Sequence, residues 1–152
     1  MGYYKWGPGL SRSVSADVAG SVCERIAERG NLTPKALVDE SRPQDAPLHQ
    51  EFEWDDAVAA EAYREVQAGG IIRQLVTVVK KESEEVPTRA FVSVRKSEEE
   101  PRSYVGINVA IKSPDMRSQL LASAIRDAEL FHRKYKTLSE LADVISAIEN
   151  HI

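Results

Sequence analysis

The 152-residue chain is 42% hydrophobic and 29% charged, carries a formal net charge of −4 and holds one cysteine. This is ordinary globular composition, and at roughly 100–200 residues per domain it suits one domain, or one with a small appendage. It excludes a disulfide-stapled scaffold, which needs paired cysteines. It also excludes a membrane-spanning helix, which needs about 18 consecutive apolar residues, and a domain that is basic throughout.

Residues 1–13 read as a tail, broken by Gly2, Gly7, Pro8 and Gly9. The opening MGYYKWGPGL lacks the apolar core of a signal peptide, so a cytoplasmic location is expected. Disordered tails are poor in aromatics. Tyr3, Tyr4 and Trp6 therefore predict docking on the body of the protein or on a partner.

Three helices are expected next. The first covers 15–29, opened by Ser15, with Val18, Val22 and Ile26 as an apolar stripe extended by Cys23, and stopped at Gly30-Asn31. Thr33 caps a second helix with Pro34 at its first position, Leu32 as a staple, and an end near Ser41 ahead of Pro43. Residues 42–49 form a loop. Asp55 or Asp56 then caps a third helix over 56–68, with Val58, Ala59, Ala62, Tyr63 and Val66 inward. Gly69-Gly70 ends it, or Ile71-Ile72 carries it past a flexible point.

The period then changes. Residues 71–81, 88–96 and 103–112 are β-rich, the last two alternating, and the polar stretches 82–87 and 97–102 separate them. Together they predict an antiparallel meander. Ser113-Pro114 ends it and opens a helix over 114–134 with Met116, Leu120, Leu121, Ala124, Ile125, Ala128 and Phe131 at helical spacing. Thr137 with Glu140 matches a capping box. The last helix, 138–150, is expected to bury Leu138, Leu141, Val144, Ile145 and Ile148.

Charge is unevenly placed. Residues 1–60 hold 6 Lys+Arg against 10 Asp+Glu, residues 61–100 hold 7 against 8, and residues 101–152 hold 7 against 6. Lys80-Lys81 and Arg95-Lys96 adjoin the acidic runs 82–85 and 98–100, whose carboxylates cancel the local potential. Arg133, Lys134 and Lys136, with Arg126 one seven-residue step earlier, form the cluster free of such a run. They are the candidate phosphate contacts. A cationic helix C-terminus that complements the macrodipole is the plainer reading.

Other chemistry is sparse. His49, Glu51, Glu53, Asp55 and Asp56 could bind a divalent cation through oxygen or supply an acid/base pair. Caps, and Phe52 and Trp54 alternating toward a core, explain the same residues more simply, and neither EF-hand nor HExxH spacing is present. Cys23 reads as an inert buried thiol. His132 and His151 read as solvated. Gly69-Gly70 lacks the lysine and hydroxyl of a phosphate loop. The first two helices have the outline of a helix-turn-helix, but Lys35, Asp39, Glu40 and Arg42 on the second are mixed in sign.

The stretch LTPKALVDESRPQDAPLHQEFEWDDAVAAEAYREVQAGGIIR (32–73) resembles a pattern in small proteins encoded by tailed phages and prophages. It runs as a Leu-Thr-Pro helix, a Pro-Leu-His turn, Phe-Glu-Trp-Asp-Asp, an Ala-Ala-x-x-Tyr-Arg helix and a Gln-Ala. KWGPG near the start and FHRKYKTLSELADVISAI near the end resemble further parts of it. The resemblance touches both ends and most of the chain. It implies a phage or prophage context, inside a host cell, and no reaction. Gly69-Gly70 stand where that pattern has Arg-rich residues, which argues against phosphate binding there.

The expected fold is α+β, with an N-terminal helical module of helix-turn-helix outline, a three-stranded antiparallel sheet and two C-terminal helices. The expected divisions are an aromatic tail (1–13), a helical module (14–70) and a meander with C-terminal helices (71–152). The expected function is a non-enzymatic phage or prophage accessory protein that binds nucleic acid, DNA being the candidate, through Arg126, Arg133, Lys134 and Lys136, or that regulates a nucleic-acid transaction. The alternative is an assembly module acting as a homo-oligomer, with the aromatic tail as a protein contact. No catalytic residue, metal ligand, cofactor or membrane partner is expected.

Overall fold

Ser15 and Thr33 open the first two helices as their positions dictate. In the computed structural model, which describes residues 4–81 and 84–152, Ser15 Oγ accepts from Val18 N at 3.3 Å and α1 runs Ala16–Arg29. Thr33 Oγ1 accepts from Ala36 N at 3.0 Å, and α2 runs Pro34–Ser41 with Pro34 in its first turn. Tyr3 of the aromatic segment and Glu82-Ser83 of the acidic stretch lie outside the described residues, as do the side chains of 79–84. The chain divides into two compact units, one reaching Val109 and the other spanning Ala110–Ile152.

In the first unit, α1 buries Ala19, Val22, Cys23 and Ile26, while Val18, expected on that stripe, is 40% exposed. The third helix departs from expectation at its start, and at its end follows the second of the two expected courses, on past the glycines. Asp55 bends the chain into a separate turn: its carboxylate accepts from Ala57 N at 2.9 Å and its carbonyl from Val58 N and Ala59 N. So α3 starts at Glu61, with Ala60 at its N-cap and no side-chain cap, and continues through Gly69-Gly70 to Gln74. Its inward face is Arg64, Ala68, Gly69, Ile71 and Ile72. Val58, Tyr63 and Val66, expected inside, are exposed. Burial of both isoleucines outweighs the roughly 1 kcal/mol that each glycine costs a helix.

The segment expected as one strand from 71 is therefore helix to Gln74 and β2 (Leu75–Lys81) thereafter. Three strands do form an antiparallel sheet, in the order β1-β2-β3, but its members are β1 (Tyr4–Trp6), β2 and β3 (Glu84–Arg89). Registers are Tyr4↔Thr77, Trp6↔Leu75 and Val76↔Arg89. The expected strand 88–96 is split at Ala90. Ala90 N donates to Leu75 O at 3.0 Å, and Ala90 O accepts from Ile107 N at 2.9 Å. One residue thus hands the chain from the first sheet to a second, of β4 (Phe91–Val94) and β5 (Ser103–Gly106).

β5 is shorter than the alternation suggested. Gly106 faces Phe91, the first residue of β4, so the ladder ends there, and α4 (Ile107–Lys112) takes over. Val105 and Ile107 are buried while Val109 and Ile111 are exposed. Tyr104 N donates to Leu32 O at 2.7 Å, tying the turn between α1 and α2 to β5. The core collects Leu32, Leu37, Val38, Leu48, Ile71, Ile72, Leu75 and Phe91.

The aromatic segment is an edge strand rather than a tail. The Tyr4 ring stacks on Phe91 at 5.9 Å and lies over Gly20, where an added Cβ would sit 2.2 Å from ring atoms. Trp6 Nε1 donates to Val14 O at 3.1 Å.

The second unit is a helical hairpin. Ser113 Oγ accepts from Met116 N at 3.4 Å and opens α5 (Pro114–Tyr135). After a single 3-10 turn, Ser139–Leu141, comes α6 (Ala142–Glu149). The expected capping box does not form: neither helical start carries a side-chain cap, and Glu140 receives the Ser139 hydroxyl instead. Of the five residues expected to be buried by the last helix, Ile145 alone is; Leu138 and Leu141 precede α6, and Val144 and Ile148 lie within it without being buried. Among the described residues no helix is long and apolar enough to cross a membrane.

Candidate functional site

The chemistry-dense segment 49–56 folds into a knot around Trp54. The His49 ring stacks on the indole at 4.9 Å and 9°, and Phe52 meets it at 5.6 Å. Trp54 Nε1–H donates to His49 O at 2.8 Å, while His49 Nδ1 lies 2.9 Å from Ser41 O. The guanidinium groups of Arg64 and Arg42 sit 5.3 and 5.9 Å from the indole centroid, within cation–π range.

Arg64 is 4% exposed and every bond it makes is local to this knot. It donates to the carbonyls of Glu53 (2.8 Å) and Ala59 (3.2 Å) and to the carboxylates of Asp56 (2.5 Å) and Glu61 (3.3 Å). The Asp56 hydrogen bond raises the guanidinium pKa further above its usual value. The Pro-Leu-His, Phe-Glu-Trp-Asp-Asp and Tyr-Arg stretches thus meet through His49, Phe52, Trp54, Asp56 and Arg64. Asp56 acts as a partner for arginine rather than as a helix cap. Among the described residues, no three His, Cys, Asp or Glu converge as metal ligands.

A second knot fastens the start of the chain. Glu51, its side chain 7% exposed, accepts from Val14 N at 3.1 Å and from the Ser13 hydroxyl, and pairs with Arg12 at 3.5 Å. Arg12 also donates to Gln74 Oε1 at 2.9 Å and lies 5.6 Å over Trp6. Burial pushes the Cys23 thiol up to about 12, consistent with an inert core thiol. Burial, then the charge of Glu24, raises the Tyr4 hydroxyl above its ordinary value.

The charges on α2 are consumed internally. Lys35 pairs with Asp39 at 2.8 Å, and Arg42 with Asp39 at 3.0 Å and with Glu61. Arg25 and Arg29 of α1 both hold Glu40, at 3.4 and 2.9 Å. The Lys35 and Arg29 hydrogen bonds keep the Asp39 and Glu40 carboxyls below the usual range. A recognition helix needs cations free to meet phosphate. Among the described residues, α2 presents none that is unpaired.

The C-terminal cations differ. Arg126, Arg133, Lys134 and Lys136 are all exposed. Arg126 reaches Ser123 Oγ at 3.0 Å, and Lys134 lies 5.1 Å from the Tyr135 ring centroid. Among the described residues none of the four has a carboxylate within 4 Å. Arg126 and Arg133 share one side of α5, but Asp127 and Glu129 stand among them. Of the other basic pairs, Lys96 donates to Gly30 O at 3.2 Å, and the Lys80-Lys81 side chains lie outside the described residues. His132, expected to be solvated, is instead 2.8 Å from Glu149 Oε1, linking α5 to α6.

Within the hairpin itself, the other side is apolar and uncovered. No residue of α5 is buried. A hollow of about 590 Å³ runs along its first half between Ile111, Arg117, Leu120, Leu121 and Ala124. A second, of about 320 Å³, adjoins it at Ala124 and is lined by Ile125, Ala128, Val144, Ile148 and Ile152. At 1.5 Å per residue, the 22 residues of α5 extend about 33 Å and the eight of α6 about 12 Å. One helix therefore leaves much of the other's apolar face uncovered. Periodicity predicted that face, but not that α6 would be too short to cover it. Compared with known protein families, curated proteins and solved structures, the chain matches none.

Proposed function

We propose that this chain is an assembly module rather than an enzyme, working in a phage or prophage setting as the resemblance of residues 32–73 implies, and that the α5–α6 hairpin is its contact surface. The observation that carries this reading is α5 itself, a 22-residue amphipathic helix with no buried residue. Amphipathic helices in proteins derive most of their stability from packing the apolar face. Contiguous exposed apolar surface of this kind marks interaction sites. The first unit has its own core and its own internal ion pairs. It serves as the body that the hairpin assembles.

Sedimentation velocity over a concentration series tests this. The full chain is expected to sediment as an oligomer, and Leu121→Glu, which places a carboxylate on the open face, as a monomer of unchanged helix content. A wild-type monomer throughout the series contradicts the reading.

A second reading rests on a separate observation, the exposed Arg126, Arg133, Lys134 and Lys136, none of which has a carboxylate within 4 Å among the described residues. Four such cations could contact nucleic-acid phosphates, with affinity that falls steeply with salt. Asp127 and Glu129 beside them weaken the local potential, so this reading stands second.

A further inference from the structure

The assembly reading leaves the identity of the covering surface open, and two charged residues on α5 address it. Arg117 lines the first hollow among Leu120, Leu121 and Ala124. It is exposed, and among the described residues no carboxylate lies within 4 Å. A cation in an apolar groove calls for an anion brought by whatever fills the groove. Asp127 stands on the same helix one residue before the groove-lining Ala128, also exposed and without an ion pair among the described residues. The two are ten residues apart, with Ala122 midway.

We propose, resting on the assembly reading above, that the open face of α5 is covered by α5 of a second copy of this chain. The two helices run antiparallel about a two-fold axis level with Ala122, so that each Arg117 reaches Asp127 of the other copy. An isologous contact makes every interaction twice, so one Arg and one Asp at mirrored positions complete both ends. At about 100° per residue, Asp127 lies roughly 80° around the helix from Arg117, at the rim of the groove, within reach of a long arginine side chain crossing it. Ala124 and Ala128 on the groove floor allow the axes to approach toward the short end of the usual 8–10 Å.

Net charge favours the same occupant. Residues 110–152 carry six Lys+Arg (112, 117, 126, 133, 134, 136) and six Asp+Glu (115, 127, 129, 140, 143, 149), hence zero; the whole chain's −4 therefore sits on residues 1–109. Two neutral hairpins meet without repulsion, while two first units repel one another. A hairpin with no net charge offers an anionic membrane or a strongly charged partner protein no overall attraction.

Sedimentation equilibrium on the full chain tests the register, using Arg117→Asp, Asp127→Arg and the double exchange. Wild type is expected to be a dimer at micromolar concentration. Each single exchange sets like charges against each other and should weaken the dimer by about tenfold or more. The double exchange should restore it to within a few-fold, a recovery that no general loss of folding would produce. A dimer indifferent to the single exchanges, one weakened but not restored, or an oligomer larger than two overturns this pairing and leaves the assembly reading standing. A monomer at all concentrations overturns both.

Discussion

Arg64 shows how much one side chain organises here. Its fork closes on two carbonyls and two carboxylates while its face lies toward Trp54, so residues 53–61 are tied to the first turn of α3. Trp54 is half-buried, with both its N–H and its ring faces engaged. The alternation with Phe52 pointed Trp54 toward a core. Trp54→Ala should accordingly cost about 2–3 kcal/mol, somewhat less than the roughly 3–5 of a fully buried Trp, read as a lower urea midpoint. An unchanged midpoint would show the knot to be decorative. Cys23 and Tyr4 give a pH signature. Both pKa values are raised in the folded state, so the stability they contribute is complete below their unfolded values, near 9 and 10, and is lost as pH rises through the folded values. Stability should fall as pH rises above about 9 through Cys23 and, above about 10, through Tyr4 as well. Denaturant titrations of wild type and Tyr4→Phe between pH 7 and 11 check this: the variant should keep a flatter profile above pH 10, and identical profiles would remove Tyr4 from the account.

At the scale of elements, β1 depends on a single missing side chain. Tyr4 packs where α1 presents Gly20, and its ring stacks on Phe91 beyond. Gly20→Ala puts a methyl group into that ring, an overpacking that typically costs about 1–3 kcal/mol. The expected result is release of β1, seen as faster amide exchange at its partners Leu75–Thr77 with α1 itself intact. Combining Gly20→Ala with Tyr4→Ala should recover part of the loss, since the two act on one contact. Strictly additive losses would show that Tyr4 and Gly20 do not act through that contact. The buried Glu51, which takes up Arg12, Ser13 and Val14, holds the far end of the same segment.

At the scale of the molecule, charge and apolar surface are segregated. The −4 of the first unit and the neutrality of the second are sequence properties. They make the assembly and nucleic-acid readings separable by salt. Apolar association strengthens or holds as salt rises, because screening removes repulsion between acidic units. Phosphate contacts weaken steeply. Titration with duplex and single-stranded DNA at low and physiological salt, for wild type and a triple alanine variant at 133, 134 and 136, decides the second reading. If those cations act, the variant loses most of the low-salt affinity; no binding at low salt, or equal binding by the variant, removes them from consideration.

What the sequence determined by itself was whatever a few neighbouring residues decide among themselves. Ser15, Thr33-Pro34 and Ser113-Pro114 open α1, α2 and α5 where local capping chemistry predicts, and Gly30 closes α1. The apolar stripe of α5 was legible because a helical period repeats within one segment. Tertiary structure decided what depends on distant partners. Tyr4–Trp6 became a strand only because β2 offers an edge and Gly20 a place for the ring. Gly69-Gly70 stayed helical because Ile71 and Ile72 are drawn into the core. The alternation through 103–112 gave way to helix after Gly106, where the β4–β5 ladder ends at Phe91 and Ala90 hands the chain to the other sheet. Arg64's role was hidden for the same reason: its partners converge only after Asp55 has turned the chain back. Local signals report backbone preference, worth tenths of a kcal/mol to about one per residue. Burial of a large side chain contributes several times more and depends on residues far away in the chain.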